Sequence, residues 1–150
     1  MQQKIKPDPK YDNIIISKFI NYTMRKGKKF LAQKITYDAF DLIEKKTKKD
    51  PVSFFEKSLE NAKPRIETKP TRVGGATYQV PYEVDEKRGK FLAMKWILEE
   101  AKKKKGRSMP EKLAEEIILS SKKEGGAIKK KIDTEKMAEA NKAFAHLARR

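Results

Sequence analysis

Few side chains in this 150-residue sequence could carry acid–base or metal chemistry. His146 is the only histidine, no residue stands at a recognisable catalytic spacing from it, and cysteine is absent. Disulfides, thiolate metal sites and thiol catalysis are therefore excluded. A lone histidine on a basic helix is more often a surface or interface residue than a general base. The sequence predicts a protein that is not an enzyme and that needs no cofactor or metal.

Two pairs of carboxylates, Glu99-Glu100 and Glu115-Glu116, lie among lysines on amphipathic helical patterns. Such pairs usually belong to solvated helix faces, where they form ion pairs with lysines four residues away. We therefore expect these side chains to be exposed and to play no catalytic part.

Positive charge dominates the sequence, with 37 Lys and Arg against 21 Asp and Glu and a net charge of +16. An excess of this size favours a polyanionic partner. The basic residues collect at segment ends and connectors, so clusters that are distant in sequence can converge on one phosphate-binding surface. The clusters are the N-terminal arm, residues 25–29, Lys69 with Arg72, residues 87–90, 102–107 and 129–131, and Arg149-Arg150.

Composition bounds the class of protein. Hydrophobic residues make up 37% of the sequence and charged residues 39%, which predicts a thin core under a charged shell. The length fits one domain over residues 1–150. No stretch approaches the roughly 20 apolar residues that a membrane span requires, and the polar start lacks the apolar segment of a secretory signal. We expect a cytoplasmic protein without membrane contacts.

The spacing of apolar residues predicts a mainly α fold: a six-helix body with one protruding two-stranded antiparallel β-hairpin between the third and fourth helices. Residues 1–12 are predicted to be an extended basic arm, because Pro7 and Pro9 bias the residues before them away from helix. The second helix, from about residue 28, has an apolar face made of Leu31, Ile35, Ala39, Leu42 and Ile43.

Capping residues locate several helix ends. Asp50 and Pro51 are typical of a helix start, and Ser108 opens a capping box for the fifth helix. The fourth helix is expected to follow residues 87–90, and Gly125-Gly126 to end the fifth. After a loop over residues 127–131, a last helix is predicted with Asp133 as its cap and with Met137, Ala140, Phe144 and Leu147 on its buried face.

The predicted hairpin arm covers residues 65–84. Polar and apolar residues alternate along its second half, and Gly74-Gly75 supplies the turn because glycine adopts positive φ without steric penalty. The two glycines lack the GxxxxGK[ST] frame of a phosphate-binding loop. A lone two-stranded ribbon is marginal in water and is expected to lean on the body or on a partner. Tyr78 and Tyr82 would either stack on bases or pack against the body, and the sequence leaves both open.

Charge and fold class leave RNA and DNA both open as partners. A basic β-arm on a helical body also describes a DNA-bending architectural protein, which inserts such an arm into the minor groove. A nuclease is a third hypothesis, although the sequence offers it no acid–base or metal constellation.

Five motifs narrow this choice. PDPKY at residues 7–11, GKK at 27–29, RVGGATYQVPYEV at 72–84, LAMKWI at 92–97 and MAEANKAFAH at 137–146 resemble the family of small-subunit ribosomal protein seven, of the bacterial and organellar type. The resemblance runs in order over nearly the full chain. It implies a structural protein of the cytoplasmic or organellar ribosome that binds the 3′ major domain of small-subunit rRNA and nucleates assembly of the subunit head.

The resemblance also implies partners and contact residues. The hairpin would lie near the exit-site tRNA and the mRNA path, with the ninth and eleventh small-subunit proteins as neighbours and no cofactor. The short N-terminal tail, the ribbon segment 69–72 and the C-terminus depart from the family pattern. The RNA-facing positions of the family carry over to Lys4, Lys6, Lys10, Lys28, Lys29, Arg72, Gly74, Gly75, Lys87, Arg88, Lys90, Lys95, Lys142 and His146.

Overall fold

A computed structural model describes residues 4–149. Within this range the mainly α fold is confirmed, with the hairpin between the third and fourth helices. The elements are α1 (Ile14–Thr23), α2 (Lys29–Thr47), α3 (Pro51–Ala62), β1 (Ile66–Val73), β2 (Ala76–Glu83), α4 (Glu86–Lys103), α5 (Met109–Ser121), α6 (Gly126–Ala140) and a 3-10 helix (Lys142–Leu147). The predicted arm begins with residues 1–3, which lie outside the described residues.

Local capping chemistry fixes the starts of α3 and α4, of which only the start of α3 was predicted. The Asp50 carboxylate accepts the N–H of Val52, with Pro51 as the first residue of α3. Helix α5 begins directly after Ser108 as predicted, but the serine side chain makes no capping hydrogen bond. Helix α4 begins at Glu86, before residues 87–90, because Asp85 caps it by accepting the N–H of Arg88 at 2.7 Å. The expectation that α4 follows residues 87–90 is therefore wrong.

The core is built around α5, which packs against α2, α3 and α4. Phe19, Phe40 and Phe55 are fully buried, and the ring of Phe55 lies 4.9 Å from that of Phe19 and 5.4 Å from that of Phe40. The Phe19–Phe55 contact is edge-to-face and the Phe40–Phe55 contact is tilted, and such aromatic pairs stabilise a core beyond the area they bury. Leu31 was predicted to join the core but is 53% exposed. It lies in the first turn of α2, where the buried stripe is carried by Ala32 instead.

The last helix differs most from the prediction. Helix α6 begins at Gly126, so residues 127–131 are helical and Asp133 lies inside the helix instead of capping it. The helix ends at Ala140, and Phe144 and Leu147 belong to the 3-10 helix. Met137, predicted to be buried, is 56% exposed, whereas Ala138 is buried. The earlier start of α6 follows from the contacts that its N-terminus makes with α4 and α5.

Two carboxylates hold the N-terminus of α6. Glu116 of α5 is fully buried and accepts the N–H of Ala127 on Oε1 at 3.0 Å, while its Oε2 lies 3.4 Å from Nζ of Lys104. The Glu100 carboxylate of α4 lies so close to Gly126 that a Cβ there would collide with it. The first amides of a helix have no partner within the helix, and the helix dipole favours negative charge there.

The expectation that these carboxylates are solvated is therefore wrong for Glu116 and Glu100. Side-chain exposure is 1% for Glu116 and 16% for Glu100, against 31% for Glu115 and 39% for Glu99. Spacing along one helix could not reveal this, because the groups that bury the carboxylates belong to another helix.

The hairpin has the predicted turn. Val73 pairs with Ala76, and Gly74 and Gly75 have φ of 57° and 86°, both in the positive region that a two-residue hairpin turn requires. The ribbon leans on the body, since β1 runs along α6 and Val80 is fully buried. At its base, Arg88 of α4 donates from Nε to the buried Glu67 at 3.2 Å.

The arm is anchored through Asp8, which is only 2% exposed. Its Oδ2 accepts the backbone N–H groups of Lys10 and Tyr11, both at 3.0 Å, and its Oδ1 accepts the hydroxyl of Tyr37 at 2.5 Å. The ring of Tyr11 packs edge-on against Phe40 of α2 at 5.3 Å. The segment between the two prolines is therefore tied to α2, and this contact determines where the preceding residues 4–7 lie.

The buried carboxylate of Glu116 generates a prediction. The E116Q variant preserves the side-chain volume but removes the charge that faces Lys104 and the start of α6. We expect its free energy of unfolding to fall by about 1–3 kcal/mol in chemical denaturation. Glu44, exposed on α2, provides the control, because E44Q should change stability by less than about 0.5 kcal/mol. Equal stability of the two variants would contradict the assigned role of Glu116.

The anchor of the arm generates a second prediction. Burial, the hydrogen bond to Asp8 and the charge of Asp8 raise the pKa of Tyr37 from 10.0 to about 12. Below pH 10 the hydroxyl is protonated in both the folded and the unfolded protein. Above it the unfolded chain loses this proton first, so the contribution of Tyr37 to stability falls as pH rises towards about 12.

The Y37F variant tests this linkage. At neutral pH it leaves the buried Asp8 without its hydroxyl donor. We therefore expect its free energy of unfolding to be about 1–3 kcal/mol lower than that of the natural sequence. The difference between the two proteins should shrink between pH 10 and about 12, and lysine titration, common to both, cancels in that difference. A difference that stays constant over this range would refute the assignment.

Candidate nucleic-acid interface

The anchored arm lies between two open grooves that share Lys4 and Ile5. The α2 groove, of about 870 Å³, lies between the arm, α1 and the start of α2, and Lys6 and Lys29 also line it. The α4 groove, of about 980 Å³, lies between the arm, α1 and the start of α4. The cations that line the α4 groove are Lys4, Lys18, Lys87, Arg88 and Lys90.

The structure thus brings together cations from four separate segments of the chain. Six of the positions predicted to face RNA line these grooves: Lys4, Lys6, Lys29, Lys87, Arg88 and Lys90. Lys18 also lines the α4 groove, but it was not among the RNA contacts predicted from the sequence. It is the only cation within α1, and it stands between the buried residues Ser17 and Phe19. A single charge in an apolar helix was the available signal, but only the placement of the arm and of α4 gives it neighbours.

Most of the groove cations are not neutralised by the protein. Within residues 4–149, no carboxylate lies within ion-pair distance of Lys4, Lys6, Lys18, Lys29 or Lys87. Arg88 and Lys90 differ, since they pair with Glu67 and Glu86 at 3.2 and 3.6 Å. The unpaired lysines are available to an external anion, whereas Arg88 also holds the base of the hairpin.

Three other predicted positions lie outside the two grooves and already have partners in the protein. The ammonium of Lys10 lies 3.7 Å from Asp41 and 5.0 Å from the ring centre of Tyr37. Lys95 lies 4.0 Å from Glu99, and Lys142 lies 3.4 Å from Glu139. All three are exposed, so these ion pairs are weak and can exchange for phosphate contacts.

The hairpin and the C-terminal segment form a separate surface. Arg72, Gly74 and Gly75 are exposed at the tip of the hairpin, and the carbonyl of Arg72 accepts a hydrogen bond from Nη2 of Arg149 at 2.7 Å. His146 was expected on an α-helix, together with Lys142. Both instead lie on the 3-10 helix, which packs against β2. These residues do not join the two grooves.

The two hairpin tyrosines contact the C-terminal segment. The ring of Tyr78 lies 5.2 Å from that of Phe144. The hydroxyl oxygen of Tyr82 accepts the backbone N–H of Arg149 at 3.0 Å and lies 3.0 Å from Oγ1 of Thr71. Both hydrogen bonds lower the pKa of Tyr82, and the bond from Arg149 has the larger effect. Packing within the protein is thus observed for both tyrosines, and base stacking stays a prediction.

The loop between α1 and α2 forms a third basic feature. Lys28 lines a smaller pocket of about 320 Å³ together with Arg25 and Lys26. Lys102 of α4 lies near this loop, and burial, followed by the positive charge of Arg25, lowers its pKa. Burial is the larger cause, and the smaller contribution of Arg25 places its positive charge near Lys102.

Neither a metal site nor a membrane-spanning helix is found among the described residues. Over residues 4–149, His, Asp and Glu side chains form no group of three that could hold a metal ion. None of the helices in that range has the length and apolarity needed to cross a membrane.

Comparison with known proteins assigns the family. The family model described as ribosomal protein S7p/S5e matches residues 1–142. The small ribosomal subunit protein uS7 of Thermotoga maritima is 57% identical over 145 residues, which cover 97% of this chain and 94% of the relative. The corresponding proteins of Caldanaerobacter subterraneus and Thermosipho africanus are 53% and 52% identical, each over at least 96% of this chain and 93% of the relative.

These matches confirm the resemblance that the five sequence motifs indicate. The relatives are structural proteins of the ribosome, which confirms the prediction that the chain is not an enzyme. The basic grooves and the helical body with one hairpin are consistent with this assignment. On the near full-length matches, the chain belongs to the ribosomal protein S7 family of the small ribosomal subunit.

Proposed function

We propose that this chain is a structural constituent of the small ribosomal subunit that binds rRNA through the arm and the two grooves beside it. The observation that carries the proposal is the convergence of unpaired lysines from the arm, α1, α2 and α4 on one surface. Each cluster alone could serve solubility, but free cations that line grooves on both sides of an anchored arm are suited to a phosphate backbone.

Phosphate contacts would supply most of the affinity, because each one releases condensed counterions from the RNA. They carry no sequence information, so specificity would come from the shape of a folded RNA that fits both grooves at once. The buried Asp8 and its bond to Tyr37 contribute here by fixing the position of Lys4 and Lys6. A positioned arm loses less conformational entropy on binding than a free one.

The finer role follows the family resemblance. The RNA would be the 3′ major domain of small-subunit rRNA, and binding would nucleate assembly of the subunit head. The exposed hairpin tip, with Arg72 and its two glycines, would reach towards the exit-site tRNA and the mRNA path. The ninth and eleventh small-subunit proteins would be neighbours. The separation of the hairpin from the two grooves supports a division between an rRNA-binding body and a reaching arm.

Binding measurements distinguish this proposal from general attraction of a +16 protein to polyanions. The protein would be titrated with the 3′ major domain and with duplex DNA of equal length, each from low to high salt. We expect a preference for the rRNA that persists at high salt. Equal affinities that collapse together would reject shape-specific RNA recognition and would be consistent with charge alone.

A variant pair tests the grooves themselves. In the K18Q/K87Q double variant, two lysines from opposite walls of the α4 groove lose their charge. We expect weaker binding to the 3′ major domain and a salt dependence whose slope falls by about 0.7 to 0.9 for each lost phosphate contact.

Lys57 provides the matched control, because it is exposed on α3 and lines neither groove. K57Q should retain the slope of the natural protein. If K18Q/K87Q and K57Q gave the same slope, the α4 groove would not be the RNA-binding surface.

A further inference from the structure

The pocket between α1 and α2 is distinct from the two grooves and combines an apolar floor with a basic rim. Its floor includes Met24, Leu31 and Ile35, and its volume is about 320 Å³. This is at the lower end of the range for sites that bind small molecules. We call it the turn pocket, because the α1–α2 loop, with Arg25, Lys26 and Lys28, forms its rim.

The rim is held by a defined turn. Lys26 and Gly27 both have positive φ, of 54° and 70°, and the N–H of Lys28 donates to the carbonyl of Arg25 at 3.1 Å. The N–H of Lys29 donates to the carbonyl of Gly27 at 2.9 Å. The positions of the rim cations therefore follow from backbone geometry.

One side chain of the apolar floor, and the residue before it in α2, are left in solvent. Leu31 is 53% exposed, and its neighbour Phe30 is 89% exposed, the largest exposed fraction among the large hydrophobic residues of the described range. Single exposed apolar residues are ordinary on protein surfaces, but a half-exposed leucine in the pocket that directly follows an exposed phenylalanine in sequence indicates a surface that another molecule covers.

The charge around the pocket indicates what kind of molecule that is. Arg25, Lys26 and Lys28 form no ion pair with any carboxylate of residues 4–149. Lys28 is followed directly by Lys29, which lines the α2 groove. One anionic chain could therefore run from the α2 groove across the rim of the turn pocket.

We propose that the turn pocket receives a single unpaired RNA base whose flanking phosphates lie on Arg25, Lys26 and Lys28. A polyanion with apolar faces between its charges matches a basic rim around an apolar floor. The base must be unpaired, because only an unpaired base can swing out of the base stack to enter a protein pocket. The inference rests on the proposed rRNA binding and adds to it a contact with a base, where the grooves would contact phosphates.

The L31S variant tests the pocket, because it makes the floor polar at a half-exposed position where the fold should tolerate the change. Ile132, 45% exposed on α6, provides the matched control I132S. Circular dichroism melting would establish that both variants are folded. We expect L31S to bind the 3′ major domain roughly 5- to 20-fold more weakly than I132S, as loss of one base contact implies.

Chemical probing of the RNA bases would identify the nucleotide. In the complex with the natural protein, one unpaired base should be protected that regains its reactivity with L31S, while all other protections persist. An abasic substitution at that nucleotide should then remove the difference in affinity between L31S and I132S.

Failure of the pocket and failure of the proposed function give different results. If L31S and I132S bind the rRNA with equal affinity and equal protections, the base pocket is overturned and rRNA binding stands. If the natural protein shows no preference for the rRNA over duplex DNA, both proposals fall. If L31S retains every base protection but enters reconstituted subunits poorly, the pocket accommodates a protein neighbour and the inference is overturned.

Discussion

The arrangement of the C-terminal half depends on two carboxylates that meet the start of α6. Glu116 and Glu100 come from different helices. Glu116 accepts the N–H of Ala127, and the Glu100 carboxylate lies against Gly126, at the positive dipole end of α6. Because Gly126 has no Cβ, the helix can approach Glu100 closely. The direction of α6 is fixed in this way, and β1 then packs along α6 while the 3-10 helix packs on β2. The position of the hairpin thus depends on α6 as well as on the ion pair between Arg88 and Glu67 at its base.

Charged residues serve two different purposes in this molecule. One set is paired and partly buried, such as Lys104 with Glu116 and Arg88 with Glu67, and it connects α4 to α5 and to the hairpin. The other set consists of lysines without a carboxylate partner within residues 4–149, and it lines the grooves beside the arm. The second set includes Lys4, Lys6, Lys18, Lys29 and Lys87, which therefore leave uncompensated positive charge along the two grooves. Part of the net charge of +16 is thus directed to one surface, which suits the RNA partner expected of a small-subunit ribosomal protein.

Sequence-based prediction succeeded where one or two adjacent residues determine the outcome. Asp50-Pro51 started α3, and Gly74-Gly75 formed the hairpin turn, since the chemistry of capping and of positive φ is local. It missed one local signal, the Asp85 cap of α4, and otherwise failed where a distant segment decided. The start of α6 depended on Glu116 of α5, and the exposure of Leu31 depended on which stripe of α2 the neighbouring helices covered. Periodicity gives the faces of a helix but not which of two adjacent stripes is buried.

The sequence by itself determined the mainly α class with one hairpin, the absence of thiol chemistry, the basic character of the partner surface and, through its motifs, the family. These properties are set by composition and by short-range patterns that no neighbour can alter. Only the tertiary structure decided which cations share a surface, that Lys18 belongs with Lys87, that Arg88 holds the hairpin, and that Tyr78 meets Phe144. The physical reason is that Coulomb and packing interactions act over a few ångströms in space, and residues remote in sequence become neighbours only once the helices have packed.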